Sequence, residues 1–128
     1  MKALLDTHAF LWWIFDDPKL SAKARKAIAD ADNVVHVSAA SAWEIATKHR
    51  KGKLPEAGDV PRRLPDYIAK ARFTPLPITV EHAIAAGGLP GPHGDPFDRM
   101  LIAQSIAEHI PIVTTERLFR DYGAQVIW

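Results

Sequence analysis

The sequence predicts an α/β domain with a mainly parallel central sheet. Short β-branched apolar runs alternate with segments of helical periodicity, the pattern of strands joined by helical crossovers. The runs are apolar at consecutive positions, as strands covered on both faces require. The 128 residues, 48% hydrophobic and 24% charged, suffice for one core, so residues 1–128 are expected to form a single domain.

Each element follows from local pattern. Residues 3–5, just before Asp6, form a first buried strand. Leu20, Ala24, Ile28 and Ala31 fall on one helical stripe. NVVHVS is a second strand ending near Ser38, and AASAWEIATKHRK is a helix that stops at Gly52. After a proline-punctuated section, DYIAKAR reads as helix and FTPLPI as an edge strand, because Pro75 and Pro77 lack ladder donors. EHAIAA is a short helix ended by Gly87 and Gly88. The loop LPGPHG leads to a helix from Pro96 to about His109. PIVTT is a strand, RLFRDYG a last helical turn, and AQVIW a closing strand.

The formal charge is +1, from 16 basic and 15 acidic residues, and there is no cysteine. Disulfides and thiolate zinc sites are excluded, and a reducing cytoplasm fits. In MKALLDTHAFLWWIF, Asp6 and His8 break the first apolar run, and Ala9 to Phe15 is too short to span a bilayer. Neither a membrane span nor a signal peptide is expected, and the location expected is cytoplasmic.

Ligands of parallel sheets bind at the carboxyl ends of strands, and the acids fall there. Asp6 ends the first strand, Glu44 lies two turns into the helix after the second, and Asp95 and Asp98 open the long helix. Glu116 directly follows PIVTT. Asp95 reads as a helix N-cap, with Pro96 at the first helical position. Asp98 shares a face with Leu101, Ile102, Ser105 and His109, which points to chemistry rather than to a solvated first turn. Glu44 lies among small and apolar residues. Asp6 and Glu116 can each be read as caps.

Taken together the acids pose an electrostatic problem. Two carboxylates about 4 Å apart repel by roughly 4 kcal/mol at an effective dielectric of 20. A cation among them is expected, and hard oxygen donors suit Mg²⁺ or Mn²⁺. Such a site suits phosphate chemistry. Thr7, Ser38, Ser41 and Thr114 supply hydroxyls near the same rim, and Arg99 stands ready for a phosphate or a neighbouring acid.

Lys48, Arg50, Lys51 and Lys53, with Arg62 and Arg63 downstream, complement a helix C-terminus or contact a nucleic-acid backbone. The six histidines show no metal-ligand spacing, and His8 alone is close in sequence to a proposed ligand. Trp12, Trp13 and Trp43 read as core or subunit contacts. GGLPGPHG reads as a mobile flap. No Walker loop, dinucleotide fingerprint or nucleophilic Ser/Cys constellation is present.

LLDTHAFLWW, VSAASAWEIATK, HGDPFDRMLIAQ and IVTTE together resemble PIN-domain ribonucleases, specifically VapC-type toxins, over the full length and in order. The resemblance implies a PIN-like three-layer α/β/α sandwich and an Mg²⁺- or Mn²⁺-dependent endoribonuclease, usually a homodimer, held inactive by a VapB-type antitoxin. It implies metal-activated water attacking RNA and leaving 5′-phosphate and 3′-hydroxyl ends. Asp6, Glu44 and Asp98 match the family's acids, Asp95 is an additional acid of the GDPFDR motif, and Glu116 stands where aspartate is more usual. Catalysis is thus assigned to Asp6, Glu44, Asp98 and Glu116, with Asp95 as a further metal ligand. The alternatives are a receiver-like signalling domain, also magnesium-binding, and a catalytically silent binding module whose acids only cap helices.

Overall fold

A computed structural model describes residues 1–128. The elements are β1 (Lys2–Leu5), α1 (Thr7–Ile14), α2 (Ala22–Ala29), β2 (Val34–Ser38), α3 (Ala39–Arg50), α4 (Leu64–Lys70) and β3 (Thr74–Leu76). They continue with α5 (Val80–Gly88), α6 (Pro96–Glu108), β4 (Ile112–Val113), α7 (Leu118–Asp121) and β5 (Val126–Ile127). A 3₁₀ turn at Pro55–Ala57 lies in the proline-punctuated section.

The sheet order is β3-β2-β1-β4-β5, and every pairing is parallel. The chain builds outward from β1 through β2 to β3, then returns to the other side of β1 for β4 and β5. β1 is therefore the point where the strand order reverses, and a crevice opens at its carboxyl end. Asp6 is the first residue past that end.

Side-chain alternation along β1 divides the core into two layers. Ala3 and Leu5 pack with Phe10, Ala24, Ile28, Val35, Val37, Ile45 and Val113 on one face. Leu4 packs with Ala40, Leu101, Ile102, Ile112 and Phe119 on the other. Both faces are covered by helices, which explains the continuous apolar strands.

Some boundaries differ from expectation. α5 takes in Gly87 and Gly88 as its last two residues and stops there. Its packing on α6 outweighs a propensity cost of about 1 kcal/mol per glycine. Ala31 lies beyond α2 and is exposed, so the buried stripe ends at Ile28. β4 is only two residues long, because past Val113 a single long bond, from the Thr114 N–H to the Ile127 carbonyl at 3.3 Å, precedes a bend. α6 ends on His109 in the left-handed region at φ 54°, without the usual glycine.

His36 is the sheet's one conflict with hydrogen-bonding rules. It sits in β2 between Leu4 and Thr74, and both ring nitrogens are buried without a partner. Burial pushes its pKa down, Lys2 adds to the push, and Glu108 opposes it. A folded-state pKa below the unfolded value makes this histidine's contribution present above the unfolded pKa of about 6.5 and lost as pH falls below it. His36→Val removes the unpaired nitrogens, each class of which costs on the order of 1–3 kcal/mol. The variant should melt a few degrees above wild type at pH 7.5, with the gap widening at pH 5.5; a calorimetric scan showing the gap closing on acidification counts against this account.

Candidate metal centre and its surroundings

Asp6 leaves β1 and immediately starts α1. Its Oδ1 accepts the Ala9 N–H at 2.7 Å, and its own N–H donates to the Val113 carbonyl at 3.0 Å. Its side chain caps α1, its main chain is tied to β4, and the residue is only 4% exposed. Burial pushes its carboxyl up to about 6. The Thr114 hydroxyl, the Ala9 N–H and the charge of His8 pull it back, and the charge of Asp98 adds to the push. Asp6 is therefore both a helix cap and a carboxylate under strain.

Thr7, next along the chain, donates its hydroxyl to Glu44 Oε1 at 2.6 Å and lies 3.0 Å from Ser41 Oγ. Glu44 is 3% exposed, on the face of α3 turned toward α1. One turn later Lys48 Nζ donates to Glu44 Oε2 at 2.5 Å. Burial pulls the Lys48 ammonium down, but the Glu44 hydrogen bond and the charges of Glu44, Asp95 and Asp98 outweigh it and hold its pKa above the usual value.

α6 brings the remaining acids. Asp95 Oδ1 accepts the N–H groups of Phe97 and Asp98 at 2.9 and 3.0 Å, the N-cap role read from sequence. Asp98 is about three-quarters buried and meets His93 Nε2 at 2.9 Å. Burial raises its pKa, the His93 hydrogen bond opposes the rise, and the charges of Asp95 and Glu44 reinforce it.

The charge of Asp98 thus acts on Asp6 across 92 residues of chain, and the charges of Asp95 and Glu44 act on Asp98. Glu116 does not join them: it is exposed, and only its main chain is engaged, its N–H donating to Thr114 Oγ1 at 3.0 Å and its carbonyl accepting from the Phe119 N–H at 3.1 Å. Among the hydroxyls, Thr7, Ser41 and Thr114 lie at the acids. Ser38 instead caps α3 and donates to Gln104 Oε1 at 2.5 Å, in a buried network with Pro77 and His82. Arg99 meets neither a phosphate site nor an acid; its guanidinium donates to the carbonyls of Ala86, Leu89 and His93. Those bonds, with one from the His93 N–H to Tyr122 Oη at 3.1 Å, pin the loop that glycine content marked as a mobile flap.

The basic run also separates. Lys48 and Lys53 line a cavity of about 390 Å³, with His8, Trp12 and Lys19 on its other walls. Lys19 Nζ stands 5.9 Å from the Trp12 ring centroid. Arg50 and Lys51 are exposed outside that lining. A hollow of about 490 Å³ between Arg63 and Lys70 on α4 contains none of the acids. Trp12 and Trp13 pack against the core, whereas Trp43 is 59% exposed and edge-on to Phe97 at 4.9 Å. Sequence reasoning missed His93, Lys19 and the proximity of Trp12; a histidine five residues before a suspected catalytic aspartate was the available signal.

Carboxylate and hydroxyl oxygens without any thiol are donors for Mg²⁺ or Mn²⁺. The donor chemistry fits, but in this arrangement no three His, Asp or Glu side chains close around a common point. Two of the acids are met by side chains of the chain itself, one of them a cation. Lys48 neutralises Glu44, and His93 hydrogen-bonds Asp98. The cation expected among the acids is therefore supplied for Glu44 by Lys48 of the chain itself.

Residues 3–125 match the family described as PIN domain. The chain is 32% identical over 120 residues to Ribonuclease VapC22 of Mycobacterium tuberculosis, covering 93% of this chain and 90% of that protein. It is 40% identical over 73 residues to Ribonuclease VapC16 of the same organism, covering 54% of this chain and 50% of that one. Among solved structures, VapBC2 from Rickettsia felis bound to a promoter DNA fragment contains a chain with TM-score 0.72 at 18% identity, covering 98% and 97% of the two chains. VapBC-1 from nontypeable Haemophilus influenzae gives TM-score 0.65 at 15% identity, covering 98% and 96%. These last two likenesses concern the fold.

The raised pKa of Asp6 has a measurable consequence. With a folded value of about 6 against 3.8 for the ordinary group, the protonated form is favoured by folding. The associated stability is complete below the unfolded pKa and is lost as pH rises through about 6, a change of up to about 3 kcal/mol. Asp6→Asn keeps an oxygen for the Ala9 N–H and removes the buried charge. In metal-free buffer its melting temperature should exceed wild type by several degrees at pH 8 and by little at pH 4.5. Equal gains at both pH values would show that charge burial is not the cause.

Proposed function

The chain belongs to the PIN-domain family and is of the VapC type, and on that premise we propose that it is a metal-dependent endoribonuclease acting as the toxin of a toxin–antitoxin pair. The observation that carries this reading is the meeting of Asp6, Glu44 and Asp98 in one electrostatic environment at the carboxyl end of β1. Asp6, Glu44 and Asp98 would hold Mg²⁺ or Mn²⁺, with Asp95 beside them; when bound, the ion activates a water and stabilises charge on the phosphoryl oxygens.

The chain's own groups do the rest. Thr114 and the Ala9 N–H fix the Asp6 carboxylate, and Thr7 fixes Glu44. Lys48 places a positive charge between Glu44 and the adjoining groove. In that groove Lys19 and Lys53 meet the RNA backbone, and Trp12 offers an aromatic face to a base. Water attacks phosphorus and the 3′ oxygen departs, leaving 5′-phosphate and 3′-hydroxyl ends. Glu116, exposed at the rim, would join only if its loop folded inward. A receiver-like role lacks an acid after β3, where Leu76 is followed by Pro77.

A VapB-type antitoxin is the proposed protein partner, supported by the likeness to VapBC structures. A second copy of the chain is the proposed homodimer partner; Val80 and Ile84 of α5, 73% and 71% exposed, are the apolar surface it would cover. No helix is long and apolar enough to cross a membrane.

Purified protein should cut structured RNA with Mg²⁺ or Mn²⁺ and stop in excess EDTA. Asp6→Asn and Asp98→Asn should each lower kcat by about a thousandfold, equivalent to several kcal/mol of transition-state stabilisation. Asp95→Asn should lose far less, since asparagine also caps helices. Chelator-resistant cutting, or wild-type turnover in both Asp6→Asn and Asp98→Asn, would refute the mechanism. Separately, Lys19→Gln combined with Lys53→Gln should raise KM for RNA several-fold at unchanged kcat, because the groove binds ground and transition states alike; a loss confined to kcat would place the RNA elsewhere.

A further inference from the structure

We propose that His93 is the positioning residue that fixes the orientation of the Asp98 carboxylate, and that Arg99, Tyr122 and Gly91 shape the loop to hold it there. The inference rests on Asp98 belonging to the reaction site proposed above.

His93 lies in the loop joining α5 to α6, with its Nε2 2.9 Å from Asp98 Oδ2. Both side chains are about three-quarters buried. The bond occupies one carboxylate oxygen and thereby fixes the plane in which the other lies. That control matters only if the ring is itself fixed, and the main chain on both sides of it is. The His93 N–H donates to Tyr122 Oη at 3.1 Å, and the His93 carbonyl accepts from Arg99 Nη1 at 3.0 Å. Arg99 also holds the carbonyls of Leu89 and Ala86, so one side chain staples three points of the connection to the helix that carries Asp98. Gly91 adopts φ +94°, and a Cβ there would stand 2.5 Å from the Tyr122 hydroxyl. Only glycine lets the loop pass that close to the ring that anchors His93.

Starting α6 does not require this machinery. Asp95 already accepts the N–H groups of Phe97 and Asp98, and Pro96 occupies the first helical position. Arg99 accounts for joining α5 to α6. Neither explains an imidazole aimed at Asp98. A fixed hydrogen-bond donor on a ligating carboxylate does, because such outer partners orient metal ligands and their loss costs about 10–100-fold in affinity or activity.

The test measures Mn²⁺ binding directly, by the electron paramagnetic resonance of the free ion, on wild type, His93→Ala, His93→Gln and Tyr122→Phe at one pH, alongside thermal melts and RNA kinetics. His93→Ala should bind Mn²⁺ about 10-fold more weakly or worse, with kcat reduced and KM unchanged. His93→Gln, whose amide nitrogen restores a donor, should recover most of the loss. Tyr122→Phe should show a smaller loss in the same sense, and supplies the answer should His93→Ala fail to fold. Mn²⁺ affinity in His93→Ala equal to wild type overturns the inference, as does a glutamine variant no better than alanine. Binding abolished in both variants makes His93 a ligand rather than a positioner and overturns it too. A wild-type protein that binds no Mn²⁺ overturns the metal reading, and this inference with it.

Discussion

Keeping negative charge buried at the carboxyl end of β1 is the constraint around which the rest of the structure is arranged. β1 is the central strand, flanked by β2 and β4 and covered on both faces, so anything placed just past its end is shielded from water. Asp6 is placed there. A carboxyl raised to about 6 opposes folding at neutral pH by up to about 3 kcal/mol, a serious fraction of the 5–15 kcal/mol typical of a domain. The fold tolerates it because donors reach the acids from several elements. The Ala9 N–H comes from α1, the Thr114 hydroxyl from the end of β4, the Thr7 hydroxyl from the start of α1 and the Lys48 ammonium from the far end of α3.

The frame that delivers those donors is itself polar behind the site. Gln104, fully buried in α6, accepts from Ser38 at the end of β2 and donates to the Pro77 carbonyl after β3, with His82 of α5 within 3.3 Å. His82 in turn closes a capping box with Thr79. A buried network with its members satisfied has one low-energy arrangement. The axial position of α6 is thereby set against two strands and a helix, and with it the depth of Asp95 and Asp98. Helix packing alone, through Leu101 and Ile102 against Leu4 and Ile112, would tolerate sliding that this network does not.

Much of this was legible in the sequence, for definite reasons. Period-2 and period-3.6 patterning is local, so the alternation of strands and helices could be read, and the acids at strand ends followed from parallel-sheet geometry. Asp95 as cap and Asp98 as a turned-in carboxylate both followed from helical spacing, and the hydrogen bonds and burial agree. Gly87 and Gly88 do end α5, though as its last helical residues, held there by packing on α6, a tertiary term that local propensity omits. Arg99, Tyr122 and His93 were illegible for a related cause: the mobility of a glycine-rich loop is decided by which distant side chains reach its carbonyls and N–H groups. The counter-charges were missed because i,i+4 spacing permits Glu44 and Lys48 to pair, while only burial makes the pairing consequential.

How the acids are neutralised separates them by role. Glu44 has a cation on one oxygen and a hydroxyl on the other, and Asp98 has His93. Asp6 is touched only by neutral donors, the Ala9 N–H and Thr114, with His8 acting at longer range. In a low-dielectric pocket a neutral dipole offsets less of a carboxylate's desolvation than a full opposite charge does. Asp6 and Asp98 are both left with carboxyls raised above the usual range, Asp6 to about 6. Both gain from an added positive charge. The same burial that makes Asp6 and Asp98 costly for folding favours a positive charge beside them, whereas Glu44 already has the Lys48 ammonium.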